Sequence, residues 1–440
     1  MKIDLMNRFR APLRFQAGVF FDRKLFRGMP APKAASEPEP GRRLPVRLWA
    51  AAGIGFILFA HWEMSTAALE SRIFSALAAR MTYRVEAGKS PRIAFPQSGP
   101  FDERLGYSRV PKFAKRLEER GFRYRSQARF TKTMALVAGM GVAPPYPEPP
   151  VAGLVIDGSG GEPLYDAMGT RRTFGKFEQI PPDVVKSLLF IENRELDRFD
   201  SPYSNPAIDW SRSAKAMFIY VASHLGFPTP VEGGSTLAVQ MEKYRHSPSG
   251  RTSSAVEKLR QMIGASLRVY RQGPRTVDER RRIVLDYVNT VPLGGTPSYG
   301  EVFGLDEGLR VWFGTEPDRV YRALAKTKVT RARAKALKEV LALVCAVRAP
   351  SRYLGPDRAG LEERVDKYAR LMAARGLLDP KLADLVVATR LKFADVSTQR
   401  YHTQTDKATV LVRMRLKNLL AVRDLYDLDR LHVNVKTTVN

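Results

Sequence analysis

One carboxylate in this chain sits where a carboxylate is costly. In the segment PPDVVKSLLFIENREL, residues 181–196, Val185, Leu188, Leu189 and Leu196 fall on one apolar helix stripe. Glu192 shares that stripe, four residues after Leu188 and four before Leu196. A buried carboxylate has to be paired or used, and burial moves its pKa toward the range of a general base. Two readings stand: a catalytic base, or a helix-end glutamate paired with a nearby arginine.

A second segment, EGGSTLAVQMEK from Glu232 to Lys243, has the form of an anion site. Gly233 and Gly234 run into a helix for which Ser235 is the expected N-cap. Free backbone N–H groups and the helix dipole attract negative charge there. Thr236, Gln240 and Lys243 share a polar face, and Leu237 and Met241 point to a core. An ordinary capped helix is the competing reading. In the next helix, about 253–271, Val256, Leu259, Met262 or Ile263, and Leu267 form the expected buried side. Glu257, Lys258, Gln261 and Arg268 are expected on the opposite, solvated side.

These segments belong to a long chain. With 440 residues and 44% hydrophobic residues there is apolar material for two or three folded units, which excludes a disordered basic tail protein. The net charge of +27 calls for an anionic partner. No zinc-finger, RRM or basic-zipper pattern occurs, so no nucleic-acid partner is expected. Cys345 is the single cysteine and the five histidines are scattered, which leaves no disulfide and no local His-based metal motif.

Residues 48–60 read LWAAAGIGFILFA, and with flanking residues the apolar stretch reaches about 19 positions. That length predicts a transmembrane helix over 44–62. A cleaved leader fits poorly, because the segment lies too far from the N-terminus and no cleavage site follows promptly. Residues 1–47 carry eleven Lys/Arg against four acids, so residues 1–43 read as a cytoplasmic basic tail. Residues 63–150 then read as a small periplasmic α/β module, with strands near 83–86 and 123–130 and a helix near 112–120. It ends in the Pro-rich stretch APPYPEPP at 143–150. Two short strands around a Gly-rich turn follow. From Pro181 the pattern is helical, with a single helix expected over 406–426 and a strand over 432–439.

The order of these pieces resembles the peptidoglycan glycosyltransferases of family 51, found in class A penicillin-binding proteins and monofunctional transglycosylases. Their first motif, Glu-Asp-x-x-Phe with a later Arg, corresponds to Glu192-Asn193-Arg194-Glu195-Leu196 and Arg212. The second, Gly-Gly-Ser-Thr-x-x-x-Gln-x-x-Lys, is matched in full by residues 233–243. The third, Arg-Lys-x-x-Glu, reads Glu257-Lys258-Leu259-Arg260-Gln261. The fourth corresponds to Tyr287-Val288-Asn289 through Gly294, and the fifth loosely to Leu337-Lys338-Glu339 through Pro350-Ser351-Arg352-Tyr353. Three departures stand out. Asn193 replaces an Asp, Glu257 an Arg, and Gln261 the family's second Glu, for which an amide cannot transfer protons.

The resemblance implies a mainly α, lysozyme-like, two-lobed glycosyltransferase domain over 151–426. It implies polymerisation of lipid II onto a growing glycan strand, with inversion and an undecaprenyl pyrophosphate leaving group. Glu192 would be the base, with Gln261 at the second catalytic position; either one carboxylate suffices, or Glu257 one turn away substitutes, or activity is weak or lost. Arg212, Gly233, Gly234, Ser235, Thr236, Gln240, Lys243, Lys258, Asn193 and Asn289 would bind substrate. No cofactor is obligatory; a divalent cation, Mg or Mn, could bridge the diphosphate. The implied location is the inner membrane with the catalytic domain periplasmic, beside other cell-wall synthesis proteins. Residues 214–228, apolar and aromatic, would touch the bilayer. Residues 427–440 resemble the strand leading toward a following domain. No Ser-x-x-Lys or Lys-Thr-Gly occurs, so no transpeptidase site is expected. Two other functions compete: a catalytically impaired relative that binds lipid II or scaffolds a cell-wall complex, favoured by Gln261, and a lysozyme-like glycan hydrolase. The pyrophosphate-type site argues against the hydrolase.

Overall fold

Helix packed on helix forms most of the protein. The computed structural model describes residues 2–5, 46–167, 174–197, 201–208, 235–397 and 406–439. Its helices, in chain order, begin with α1 (Val46–Thr66), α2 (Ala68–Ala79), α3 (Pro100–Arg104), α4 (Val110–Glu118), α5 (Lys132–Gly139) and α6 (Pro182–Glu192). Then come α7 (Leu237–His246), α8 (Ala255–Val269), α9 (Val277–Thr290), α10 (Gly304–Phe313), α11 (Pro317–Leu324) and α12 (Arg331–Ala346). The last are α13 (Pro350–Tyr353), α14 (Arg358–Ala374), α15 (Pro380–Ala388), α16 (Lys407–Leu420) and α17 (Leu425–Asp429).

The centre is α12. Thr330 caps it by accepting a hydrogen bond from the Arg333 N–H, and every residue from Ala336 to Ala346 is buried. A helix apolar on all sides has to be surrounded, and α6, α10, α11, α14 and α15 pack around it. Lys338 and Glu339 are the polar exceptions. The buried Lys338 ammonium is neutralised by Glu362 at 3.2 Å and Asp366 at 2.9 Å, as a charge in such a place requires, and Glu339 meets Lys335 at 3.6 Å.

Around this core lie, among the described residues, three small sheets. β2 (Tyr83–Ala87) pairs antiparallel with β3 (Ser126–Phe130), which matches the strands expected for the α/β module. β6 (Pro292–Thr296) and β7 (Gly300–Phe303) form a hairpin. The third sheet has the order β1-β8-β4-β5, from β1 (Lys2–Leu5), β8 (Val433–Lys436), β4 (Leu154–Asp157) and β5 (Pro163–Asp166). Here β8 runs parallel to β4 and antiparallel to β1, so the strand of 427–440 is built into this sheet. The β4–β5 hairpin is the expected pair around a Gly-rich turn.

Several expectations need correction. Helix α1 exists, but among the described residues no helix is long and apolar enough to cross a membrane. The uninterrupted apolar run Leu48–Ala60 covers about 20 Å as helix, against about 30 Å of hydrocarbon. The helix expected over 406–426 is two, because Ala421 turns left-handed (φ 53°) and Asp424 caps a new start. Helix α10 was not expected from its sequence, GLDEGLRVWF. Gly304 and Gly308 mask its period, yet Gly308 is what lets it approach α12. A Cβ on Gly308 would lie 2.6 Å from Leu293 Cδ1 and 2.9 Å from Leu343 Cδ1.

Gly308→Val should therefore overpack this contact and cost roughly 1–3 kcal/mol. Thermal unfolding checks it. An unchanged midpoint would show that α10 and α12 have room to spare.

Candidate active site

Glu192 is the last residue of α6, because Asn193 leaves helical geometry at φ −157°, ψ 77°. The stripe shared with Leu196 is thus interrupted: residues 194–197 form a separate 3₁₀ turn. The carboxylate emerges at the helix end, its side chain only 6% exposed. Its Oε2 accepts a hydrogen bond from Gln240 Nε2 at 3.2 Å. Its Oε1 is buried without a hydrogen bond, 3.8 Å from Arg348 Nε. That separation makes an ion pair and is too long for a hydrogen bond. Both sequence readings meet here: a helix-end glutamate beside an arginine, and a carboxylate with one oxygen uncommitted. Arg348 escaped the sequence reading, since its only signal was a cation directly after an apolar helix.

Gln240 is itself held. Its Oε1 accepts from the Tyr287 hydroxyl at 3.2 Å, and its Nε2 also reaches the Ser235 carbonyl at 3.4 Å. Burial, and then the charge of Glu192, push the Tyr287 phenol well above its ordinary pKa. The hydroxyl therefore stays a donor, and it fixes which face of the amide points at Glu192.

The second half of the site is cationic. Helix α7 is capped by Thr236, whose Oγ1 accepts from the Val239 N–H; the expected cap was Ser235. That leaves Ser235 to accept a hydrogen bond at Oγ from Lys258 Nζ, 2.7 Å away on α8. Burial, and then repulsion from Lys243, lower the Lys258 pKa to about 8. Among the described residues neither lysine makes an ion pair, so two half-buried ammonium groups stand close together without a carboxylate. Such an arrangement is costly when empty and suited to a multiply charged anion.

Residues 161–373 match the family model described as Transglycosylase. This stretch is a peptidoglycan glycosyltransferase domain. No curated protein matches the chain.

In this glycosyltransferase the expected site residues are only partly gathered. Arg212, Gly233, Gly234 and the 214–228 segment lie outside the described residues. Thr236 is buried, and its hydroxyl is spent on the cap and on the Ala207 carbonyl at 3.0 Å, so it faces inward and away from a ligand. Asn289 clamps Phe174 through both backbone groups at 2.9 Å, a structural use that engages both ends of its amide. Asn193 is 2% exposed with its Oδ1 unpartnered.

The face assignment of α8 was inverted in its first half. Val256 and Leu259 are exposed, and Gln261 is buried. Ser247 and Thr252 are the reason. Gln261 Nε2 donates to Ser247 Oγ at 2.9 Å, and Thr252 Oγ1 donates to Gln261 Oε1 at 3.0 Å. Ser247 in turn donates to Glu257 Oε1 at 2.5 Å. Gln261 and Glu257 are thus joined to each other through Ser247. Glu242, one position before Lys243, is paired with Arg268 at 2.8 Å. Among the described residues no group of three His, Cys, Asp or Glu side chains suits a metal ion. Among the described residues the charged group on Ser235 is the Lys258 ammonium, with Lys243 near it, a lining that does not fit a protein-bound divalent cation.

If the Lys258 charge serves the reaction, kcat/KM should fall as pH rises through about 8, where the free enzyme loses that proton. Lys258→Arg keeps its charge at every working pH and should remove this alkaline limb. A pH profile of both proteins checks it; an identical limb in Lys258→Arg would assign it to another group.

Proposed function

We propose that this glycosyltransferase polymerises lipid II into glycan strands. The growing strand, bonded through its reducing-end sugar to undecaprenyl pyrophosphate, is the donor, and lipid II is the acceptor. One observation carries the reading: Gln240, the partner of the carboxylate, and Lys258, one of the two close cations, meet at a single residue. Ser235 accepts from Gln240, which holds Glu192, through its carbonyl, and from Lys258 through its hydroxyl. A base therefore stands beside an anion site, the arrangement a sugar diphosphate donor needs.

In the proposed step Glu192 Oε1 takes the proton of the acceptor 4-hydroxyl. The freed oxygen attacks the donor anomeric carbon from the face opposite the leaving group, with inversion. The bond to the diphosphate oxygen breaks, and its electron pair goes to the diphosphate. Lys243 and Lys258 supply fixed positive charge where that negative charge develops. Gln240 and Tyr287 keep the carboxylate aimed and leave Oε1 available.

Such substrates are lipid-linked, and we read α1 as attaching the enzyme to a bilayer, with the catalytic domain on the side where lipid II is consumed. Ile54, Phe56, Ile57 and Leu58 are each more than 60% exposed, and a helix with such a surface gains by entering lipid.

A second reading has its own observation. Gln261 is buried in a neutral hydrogen-bond network where the family pattern has a carboxylate, which favours an impaired relative that binds lipid II without polymerising it. Radiolabelled lipid II, given to wild type and Glu192→Gln, separates the two. The enzyme reading expects wild-type polymer and a loss of about 10²–10⁴-fold in Glu192→Gln, with lipid II binding retained. A variant keeping more than about a tenth of the rate contradicts the base assignment. Binding without polymer in wild type supports the second reading.

A further inference from the structure

Outside the matched residues 161–373, a single buried carboxylate grips both cation-bearing helices. Glu148 lies in the Pro-rich stretch that precedes β4, and its side chain is 1% exposed. Its Oε2 accepts from Arg245 NH1 at 3.1 Å, on α7. Its Oε1 faces His246 Nε2 at 3.1 Å, also on α7, and Arg268 NH2 at 3.4 Å, on α8. Arg268 continues the chain to Glu242 on α7 at 2.8 Å. Burial raises the Glu242 pKa, but Arg268, His246 and Arg245 more than offset it and hold the carboxyl below its ordinary range. From the other side Asp102 of α3 meets His246 Nδ1 at 2.8 Å.

Packing agrees with the charges. Gly99 approaches the end of α7 so closely that a Cβ there would lie 2.5 Å from the Arg245 carbonyl oxygen. Gly264 brings α8 against α7, where a Cβ would sit 3.0 Å from Glu242 Oε2. Leu267 of α8 is buried in the same apolar cluster as Phe130, Met134, Val137 and Val142 of the N-terminal module. Neither the module nor α8 closes its core alone.

We propose that the 63–150 module is part of the catalytic unit, with Glu148 a positioning residue that sets the separation of Lys243 on α7 from Lys258 on α8. The functional consequence rests on the reading of that pair as the diphosphate site. Arg245, His246, Glu242 and Lys243 share one helix of ten residues, and Lys258 and Arg268 share the next. Anchoring Arg245, His246 and Arg268 on one carboxylate therefore fixes the register of the two ammonium groups.

The test uses the full chain with Glu148→Gln, which keeps shape and removes charge, and Glu148→Asp, which keeps charge and retracts it by one methylene. Glu362→Gln, which weakens the buried pair at Lys338 far from this site, controls for lost stability. Two readouts are taken: the ligand-free titration of Lys258 by NMR of isotope-labelled lysine, assigned with Lys258→Arg, and the affinity for inorganic pyrophosphate by calorimetry. Loosening α7 from α8 relieves both the burial and the repulsion that hold Lys258 near 8. Glu148→Gln should therefore raise that titration toward the ordinary lysine range and weaken pyrophosphate binding at least about tenfold. Glu148→Asp should move both in the same direction by less, and provides the test if Glu148→Gln does not fold. Glu362→Gln should lower the thermal midpoint and move neither readout. Folded Glu148 variants with an unchanged Lys258 titration would overturn the proposal. A shifted titration in a protein whose wild type binds no pyrophosphate would keep the clamp and remove the diphosphate reading.

Discussion

Two ammonium groups held close together in a partly dehydrated place repel each other, and the fold has to supply the work of keeping them there. Lys243 and Lys258 come from different helices; Lys258 donates to Ser235, Lys243 lies near enough to repel it, and neither forms an ion pair among the described residues. Much of the surrounding architecture follows from that constraint. Helix α7 is fixed at its start by the Thr236 cap and at its end by Arg245 and His246. Helix α8 is fixed by Arg268 and by the burial of Leu267. Buried ion pairs of this kind are poor sources of net stability but costly to break one-sidedly, which suits them to holding a geometry.

The carboxylate half of the site is organised differently. Glu192 is delivered by α6, whose buried residues pack on the apolar α12, so its position is inherited from the main core. Its orientation comes from a neutral relay, Tyr287 to Gln240 to Glu192, and its charge is balanced by the more exposed Arg348. A carboxylate oriented by neutral donors keeps one oxygen free of a hydrogen bond. A carboxylate locked into a bidentate salt bridge would not.

Much of this was legible in the sequence because the signals were local. The Gly-Gly-Ser-Thr segment, the spacing of Gln240 and Lys243, and the apolar helix ending at Glu192 all lie within one or two turns of chain. Long-range contacts were not legible. Gln261 looked solvent-facing beside Lys258, yet Ser247 and Thr252 arrive from the preceding loop and bury it, leaving Val256 and Leu259 outside. Thr236 and Asn289 were expected to bind substrate from their places in the resembled motifs, and both are spent on backbone. Glu148 gave no signal, since a glutamate in a Pro-rich stretch reads as linker until Arg245, His246 and Arg268 are brought to it. Helix α10 was hidden by the glycine its packing requires.

The central claim is that the paired lysines bind the diphosphate of a sugar donor. It is tested most directly by titrating a water-soluble sugar diphosphate into wild type and into a Lys243→Met/Lys258→Met double variant, each confirmed to be folded. Methionine keeps most of each side chain's length without its charge. The account predicts saturable binding to wild type and a loss of at least about a hundredfold in the double variant, on the scale of two charge-assisted contacts. Equal affinity in the two proteins would contradict it, because the diphosphate would then be held elsewhere.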